Sequence, residues 1–334
     1  MKASRIATTL QALIARKLPV FIWGAPGIGK SSVVKQTAQK EGLDFLDVRL
    51  SLLDPTDLKG IPFFDAQTKR GVWAPPSFLP HDPKSRGILF LDEINTAPPA
   101  VQASAYQLIL DRKVGEYELP DGWAIVAAGN RENDRGVVYK MPPPLANRFV
   151  HLHMQADFDD WKAWAYEAKI EASIIAFLAY DTSMLFTFDP QSDEKAFATP
   201  RSWEYVDGIV KSGLPSELLF ESIEGAVGHD AATAYMSFKQ VMHRLPDIGA
   251  ILRGELEAID EEDAKVLTAL CIGVVNALRD APHPGAVEHA LRFSLSLPGE
   301  FAIMLLKDMR HAGIDVESAP SWDAWVAKFA YLLA

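Results

Sequence analysis

Apolar positions along the chain change their period near residue 155. Before that point, short wholly apolar runs alternate with helical stripes. Ile6, Leu10, Leu13 and Ile14 recur at helical spacing, Pro19 follows, and Val20-Phe21-Ile22-Trp23 then runs uninterrupted to a glycine. Runs this short, bounded by turn residues, predict buried strands, and similar runs lie at residues 45–50, 88–91, 124–128 and 149–152. Helical stretches fall between them at 31–40 and at 98–112, where Val101, Ala105, Leu108 and Ile109 make one stripe. Strands alternating with helices predict an α/β fold with a parallel sheet covered on both faces. Residues 62–83 are rich in Pro, Gly and aromatics, which predicts an inserted hairpin with loops. Beyond residue 155 the strand-like runs stop and helical stripes take over, as in Leu267, Leu270, Cys271, Val274, Val275 and Leu278. The second half is predicted to be all helical.

Chemistry enters at the ends of the predicted strands. Gly24-Ala25-Pro26-Gly27-Ile28-Gly29-Lys30-Ser31 fits G-x4-G-K-[ST] between a strand and a helix, the context in which that motif cradles phosphates. With Gly at about 7% of residues, its four specified positions arise by accident in roughly one per cent of chains this long. Glycines let successive N–H groups point inward, and the helix N-terminus adds its positive end. Gly24 through Ser31, with Ser32, are therefore the expected ATP-binding segment. Lys30 is expected to reach the β- and γ-phosphates and Ser31 to coordinate Mg²⁺. The run at 88–91 ends in Asp92-Glu93, two carboxylates at a strand tip: Asp92 is expected to hold Mg²⁺ through water, and Glu93 to orient or deprotonate the attacking water. A third run ends in Gly129-Asn130, whose amide can bond both a γ-phosphate and a water. Arg148, in Asn147-Arg148-Phe149 before the last predicted strand, and Arg201, in Pro200-Arg201 at a helix start, complete the candidate set.

In this order the motifs resemble the AAA+ ATPases and, within them, the MoxR-like group of the helix-2-insert lineage. Leu53-Asp54-Pro55-Thr56-Asp57-Leu58-Lys59-Gly60 is similar to that group's stretch after the second strand, and residues 114–123 to the hairpin before its sensor strand. The likeness spans residues 19–204. It implies an AAA+ P-loop core over residues 1–155, a helical lid over 156–230 and a C-terminal helical extension over 231–334. It also implies a ring, usually a hexamer, with ATP at subunit junctions. Asn130 is then the first sensor, Arg201 the second, and Arg148 the finger reaching into a neighbour's site. The polar segment after Asn130 departs from the pattern, so Arg131 or Arg135 can share or replace that finger.

Other features admit two readings. Phe63, Phe64 and Tyr117 suit either pore-facing aromatics that grip a partner or a small satellite core. His151 and His153 share one side of a strand and read as strand histidines in preference to metal ligands. Cys271 reads as core, and Trp161, Trp164 and Trp203 as packing between core and lid. Residues 255–263 hold six acids in nine positions, a solvated face or a lure for a basic segment.

Composition narrows the function classes. The 334 residues include one cysteine, Cys271, which excludes an intrachain disulfide or cysteine metal site and suits a reducing compartment. No apolar run approaches bilayer length, and basic residues interrupt the apolar N-terminal stretch without a cleavage pattern, so a soluble cytoplasmic protein with no membrane role is expected. The net charge of −11, from 33 Lys+Arg and 44 Asp+Glu, disfavours nucleic acid. It is uneven: residues 1–153 hold 19 Lys+Arg and 15 Asp+Glu, a net +4, and the rest a net −15. The leading expectation is an ATP-hydrolysing MoxR-like ring that remodels a client or adaptor, by resemblance a von Willebrand factor A-type protein. Alternatives are a DNA-acting motor or restriction-type subunit, and a non-catalytic nucleotide-gated scaffold.

Overall fold

The structure, a computed structural model, describes residues 1–67, 69–131, 133–134, 139–280 and 285–332. The chain divides into two compact units, residues 1–157 with 189–192, and residues 158–188 with 193–334.

The first unit is built on five parallel strands: β1 (Val20–Trp23), β2 (Asp44–Arg49), β5 (Arg86–Asp92), β8 (Gly122–Gly129) and β9 (Val150–His153), in the order β2-β5-β8-β1-β9. The three central strands are those with uninterrupted apolar sequence. Each is covered on both faces, so every side chain needs to be apolar. The edge strands β2 and β9 instead alternate or are largely exposed, and in β9 only Leu152 is buried. The sequence pattern had implied a fully buried strand there.

Alternation along the central strands sends their side chains to opposite faces. Phe21, Leu89, Leu91, Ile125 and Ala127 share a core with Val101, Ala105, Leu108 and Ile109 of α4 (Pro99–Asp111). On the other side α2 (Lys30–Lys40) packs on β2, β5 and β8, with α1 (Ala3–Ile14) against α2. The insertion is an antiparallel hairpin, β3 (Ile61–Asp65) with β4 (Arg70–Ala74), entered through the short helix α3 (Pro55–Lys59). A capping box between Asp54 and Asp57, with Pro55 in the first turn, starts α3. A smaller hairpin pairs β6 (Lys113–Val114) with β7 (Tyr117–Glu118), and α5 (Pro143–Ala146) precedes β9.

Among the described residues, the second unit has helices and no strands: α6 (Phe158–Glu167), α7 (Ala172–Tyr180), α8 (Pro200–Lys211), α9 (Ser216–Val227), α10 (His229–Lys239), α11 (Ile248–Leu252), α12 (Ala264–Asp280), α13 (Ala286–Ser294), α14 (Gly299–His311) and α15 (Trp322–Phe329). Helix α12 is its axis. Residues 266–275 are all buried, a full circumference where periodicity had shown a stripe, because α7, α11, α13 and α14 surround it. One core runs from Trp161 to Phe329 without a break near residue 230.

Candidate functional site

Parallel pairing puts the C-terminal ends of β5, β8 and β1 at one edge of the sheet, the edge where open α/β sheets bind ligands. The glycine loop leaves β1 with Gly24 N–H donating to Gly129 O at 3.2 Å. Gly27 (φ +75°) and Gly29 (φ +93°) are left-handed, where a Cβ is strained, so the loop's course requires glycine at both. Val33 N–H to Gly29 O, 3.0 Å, is a first-turn bond of α2. The N–H groups of Lys30, Ser31 and Ser32 precede it and have no i−4 partner in the helix. Loop and helix terminus together form an anion cradle. Lys30 Nζ bridges it, donating to Gly24 O (2.7 Å), Ala25 O (3.0 Å) and Asn130 Oδ1 (3.0 Å).

The β5 tip carries the two expected carboxylates. Burial pushes the Asp92 carboxyl above its ordinary range; the Glu93 N–H bond and the Lys30 charge oppose that, and Asp47 and Glu93 reinforce it. A half-buried carboxyl whose charged form is disfavoured by burial is a donor suited to a divalent cation. Glu93 itself has φ +57°, a left-handed backbone rare outside glycine. Three bonds hold it there: its N–H to Asp92 Oδ1 (2.9 Å), and its carbonyl accepting from Thr96 N–H (3.0 Å) and Ala97 N–H (3.2 Å). Strain of this kind persists where surroundings over-determine it, typically at functional sites. The Glu93 Oε2 accepts a hydrogen bond from the Ser51 hydroxyl, delivered by the single turn Leu50–Leu52 after β2.

Sequence motifs located the loop, the acids and Asn130, and the structure brings them together. It adds two residues that no motif flagged, Ser51 and Asn95. Asn95 Nδ2 donates to Asn130 O at 2.7 Å, and a Cβ on Gly129 would lie 2.2 Å from Asn95 Oδ1, so only glycine fits at 129.

The arginines separate. Arg148 follows α5 at the opposite edge of the sheet, beside Pro19, whose carbonyl accepts from Val150 N–H at 2.9 Å. It is exposed, with the length of β9 between it and the glycine loop of its own chain. Arg131 is tied in place, its Nη2 donating to Met154 O at 2.9 Å at the root of the glycine loop. Arg135 lies outside the described residues. Arg201 sits in the first turn of α8, whose start is fixed by a capping box between Thr199 and Ser202; its side chain is exposed on the second unit.

The two-way readings resolve. Phe63 and Phe64 are 52% and 69% exposed on opposite faces of the β3–β4 ribbon, so they form no satellite core. Tyr117 is buried instead, its hydroxyl donating to Pro80 O at 2.8 Å and its ring edge-on to His81, which removes it from any pore-facing role. His151 Nδ1 accepts from the Trp23 indole and its Nε2 bonds Ala146 O, both at 2.8 Å, which fixes an Nε2–H tautomer. Among the described residues no cluster of three His, Cys, Asp or Glu is placed to hold a metal, and no helix is long and apolar enough to cross a membrane. Within the second unit Trp203 packs on Phe177 and Tyr235, apart from the Trp161–Trp164 pair. Cys271 is buried, and burial pushes its thiol well up. The acidic run is largely neutralised internally: Glu255 by Arg253, Glu257 by Arg292, and Glu261 and Asp263 by Arg244.

Left-handed glycines, a helix N-terminus, a lysine and a half-buried acid fit a nucleotide triphosphate with Mg²⁺. Residues 19–151 match the ATPase family associated with various cellular activities (AAA). The uncharacterized protein YeaC of Bacillus subtilis (strain 168) is 27% identical over 147 residues, 42% of this chain and 43% of YeaC. Midasin of Giardia intestinalis is 27% identical over 159 residues, 46% of this chain and 3% of midasin. The matched segment thus spans less than half the length of either relative. Among solved structures, the RuvB Holliday junction branch migration motor of Thermotoga maritima is 16% identical, over 98% of this chain and 86% of that one, with a TM-score of 0.40. The family match lies within the first unit.

Proposed function

We propose that this chain hydrolyses ATP and works as a MoxR-like AAA+ ring that remodels a partner protein. The observation that carries the reading is the meeting of three strand ends at one edge, where Lys30 Nζ joins the glycine loop to Asn130 Oδ1. On this reading the backbone N–H groups of residues 24–32 bind the phosphates, and Lys30 exchanges its loop carbonyls for the β- and γ-phosphate oxygens. Ser31 and Asp92 hold Mg²⁺, which when bound neutralises charge on the phosphates. Glu93 orients the water and takes its proton, and Asn130 bonds the γ-phosphate and that water.

Arg148 supports the assembly part of the proposal. A cation exposed at the far edge of the sheet is poorly placed for its own site and open to a neighbour's, which supports the proposal that hydrolysis is coupled to a ring, proposed as hexameric. Arg201 is the second sensor. By the same resemblance the client or adaptor is proposed to be a von Willebrand factor A-type protein, in the cytoplasm. With saturating Mg·ATP, Glu93→Gln is expected to abolish phosphate release while nucleotide binding persists, and unchanged turnover overturns the assignment. Arg148→Ala and Glu93→Gln, each inactive alone, are expected to regain part of the activity when mixed, because mixed rings contain complete junctions.

A further inference from the structure

Asn95 is 1% exposed and stands two residues beyond Glu93. Its side chain does something unusual for a buried amide, satisfying its donor and leaving its acceptor alone. Nδ2 donates to the Asn130 carbonyl at 2.7 Å, and among the described residues Oδ1 has no hydrogen-bond partner. The reverse orientation would set two acceptors against each other, so the assignment is forced. An unpaired buried amide oxygen destabilises a fold, so the residue is not explained by packing, and what it supplies is the single bond to Asn130.

That bond acts where it decides the Asn130 geometry. The peptide before Asn130 is held by its carbonyl, Gly129 O, which accepts from Gly24 N–H of the glycine loop at 3.2 Å. The peptide after Asn130 is held on its carbonyl side, which accepts from Asn95, and on its N–H side, where Arg131 N–H donates to Asp134 Oδ2 at 2.8 Å. Both peptide planes flanking Asn130 are therefore pinned, one by the phosphate loop and the other by the acidic tip. Two further bonds stitch the tip in place: Ile94 N–H to Ala128 O at 3.3 Å, and Tyr139 N–H to Asn95 O at 2.7 Å. With φ and ψ of Asn130 set from both sides, its Cα–Cβ bond has one direction, and Lys30 Nζ, donating to Oδ1 at 3.0 Å, holds the amide beyond it.

We propose that Asn95 is a positioning residue for ATP hydrolysis, fixing the backbone of Asn130 so that its amide faces the γ-phosphate and the water that Glu93 orients. This rests on the reading of Asn130 given above. Removing the Asn95 donor leaves the second peptide plane held only through Arg131 N–H, which donates to Asp134 Oδ2 at 2.8 Å, and small misplacements of a group that contacts the reacting atoms are costly in rate and nearly silent in binding.

The test uses the full chain with steady-state phosphate release and nucleotide binding. Asn130→Ala is expected to lower kcat strongly. Asn95→Ala is expected to lower kcat about tenfold with KM for ATP changed less than about twofold, the signature of a contact effective only in the transition state. The double variant is expected to be no slower than Asn130→Ala alone, since both act through one side chain. Asn95→Leu, close in size and without a donor, is expected to behave like Asn95→Ala and carries the test where Asn95→Ala fails to fold. If Asn130→Ala is slow while Asn95→Ala and Asn95→Leu keep the wild-type kcat, or if the two effects multiply independently, the proposal is overturned. Wild-type turnover in Asn130→Ala overturns the reading of Asn130 itself, and the proposal with it.

Discussion

The Ser51 hydroxyl donates to Glu93 Oε2 across the ends of two neighbouring strands. β2 and β5 are adjacent, and the Arg49–Asp92 pairing sets their C-terminal ends level, so the turn after β2 meets the acidic tip. Glu93 cannot adjust through its backbone, which Thr96 and Ala97 hold in the left-handed region. Only its side chain is free to move, and Ser51 holds that. A carboxylate oxygen that already accepts a hydroxyl must give up that bond before it can orient water. Ser51→Ala is expected to raise basal ATP turnover about fivefold, equivalent to one hydrogen bond of about 1 kcal/mol. Phosphate release at saturating Mg·ATP checks this, with Ser51→Ala/Glu93→Gln expected to stay inactive.

Asp92 trades stability for chemistry. Its carboxyl is raised above the ordinary value of 3.8, chiefly by burial. Between that value and the raised one, the folded chain holds a proton that the unfolded chain has released. The group's contribution to stability is thus fully present below the ordinary value and is lost as pH rises through the raised one. At neutral pH the buried charge is a burden. Asp92→Asn is expected to raise the Tm of the nucleotide-free protein near pH 7 and to lose that gain near pH ~4, while hydrolysis disappears. Thermal unfolding across pH measures the first effect and phosphate release the second.

The legible part of the site was the part written contiguously. Gly24–Ser31, Asp92-Glu93 and Gly129-Asn130 each follow an apolar run, and a buried strand announces its own end. Ser51 and Asn95 carry no such mark. Their partners lie 42 and 35 residues away, and the strand order that joins them, β2-β5-β8-β1, is a tertiary fact with no local period. Tyr117 was ambiguous for a related reason: a two-residue strand has too little length to show which face is buried. The acids of residues 255–263 looked uncompensated because Arg244 and Arg292 approach from outside the run.

A buried ion pair ties α6 to α14. Lys162 Nζ meets Asp308 Oδ1 at 2.5 Å, and the Tyr166 hydroxyl donates to Oδ2 at 3.2 Å. Burial pushes the Asp308 carboxyl up, with Lys162 and Tyr166 opposing. Such a pair contributes little over an apolar replacement, but stranding one partner is severe. Lys162→Met is expected to destabilise the chain by about 3–5 kcal/mol, and Lys162→Met/Asp308→Leu to recover most of it. Chemical denaturation of the two variants and the wild type checks the non-additivity.

Two aromatic sites that looked alike in the sequence predict opposite outcomes. Phe63 and Phe64 project from opposite faces of a ribbon and contribute little to any core. Phe63→Ser/Phe64→Ser is therefore expected to change stability by less than about 0.5 kcal/mol and to leave basal ATP turnover intact. If the ribbon grips a partner, proteins retained by the Glu93→Gln form are expected to be lost when both phenylalanines are replaced. Tyr117→Ala removes a buried ring and the donor to Pro80 O, in a place where burial pushes the phenol up to about 12. It is expected to cost about 3–5 kcal/mol, as for other large buried aromatics. Denaturation midpoints for the two variants, measured alongside basal turnover, separate a handling surface from a packing one. Equal destabilisation by both overturns the assignment of the ribbon.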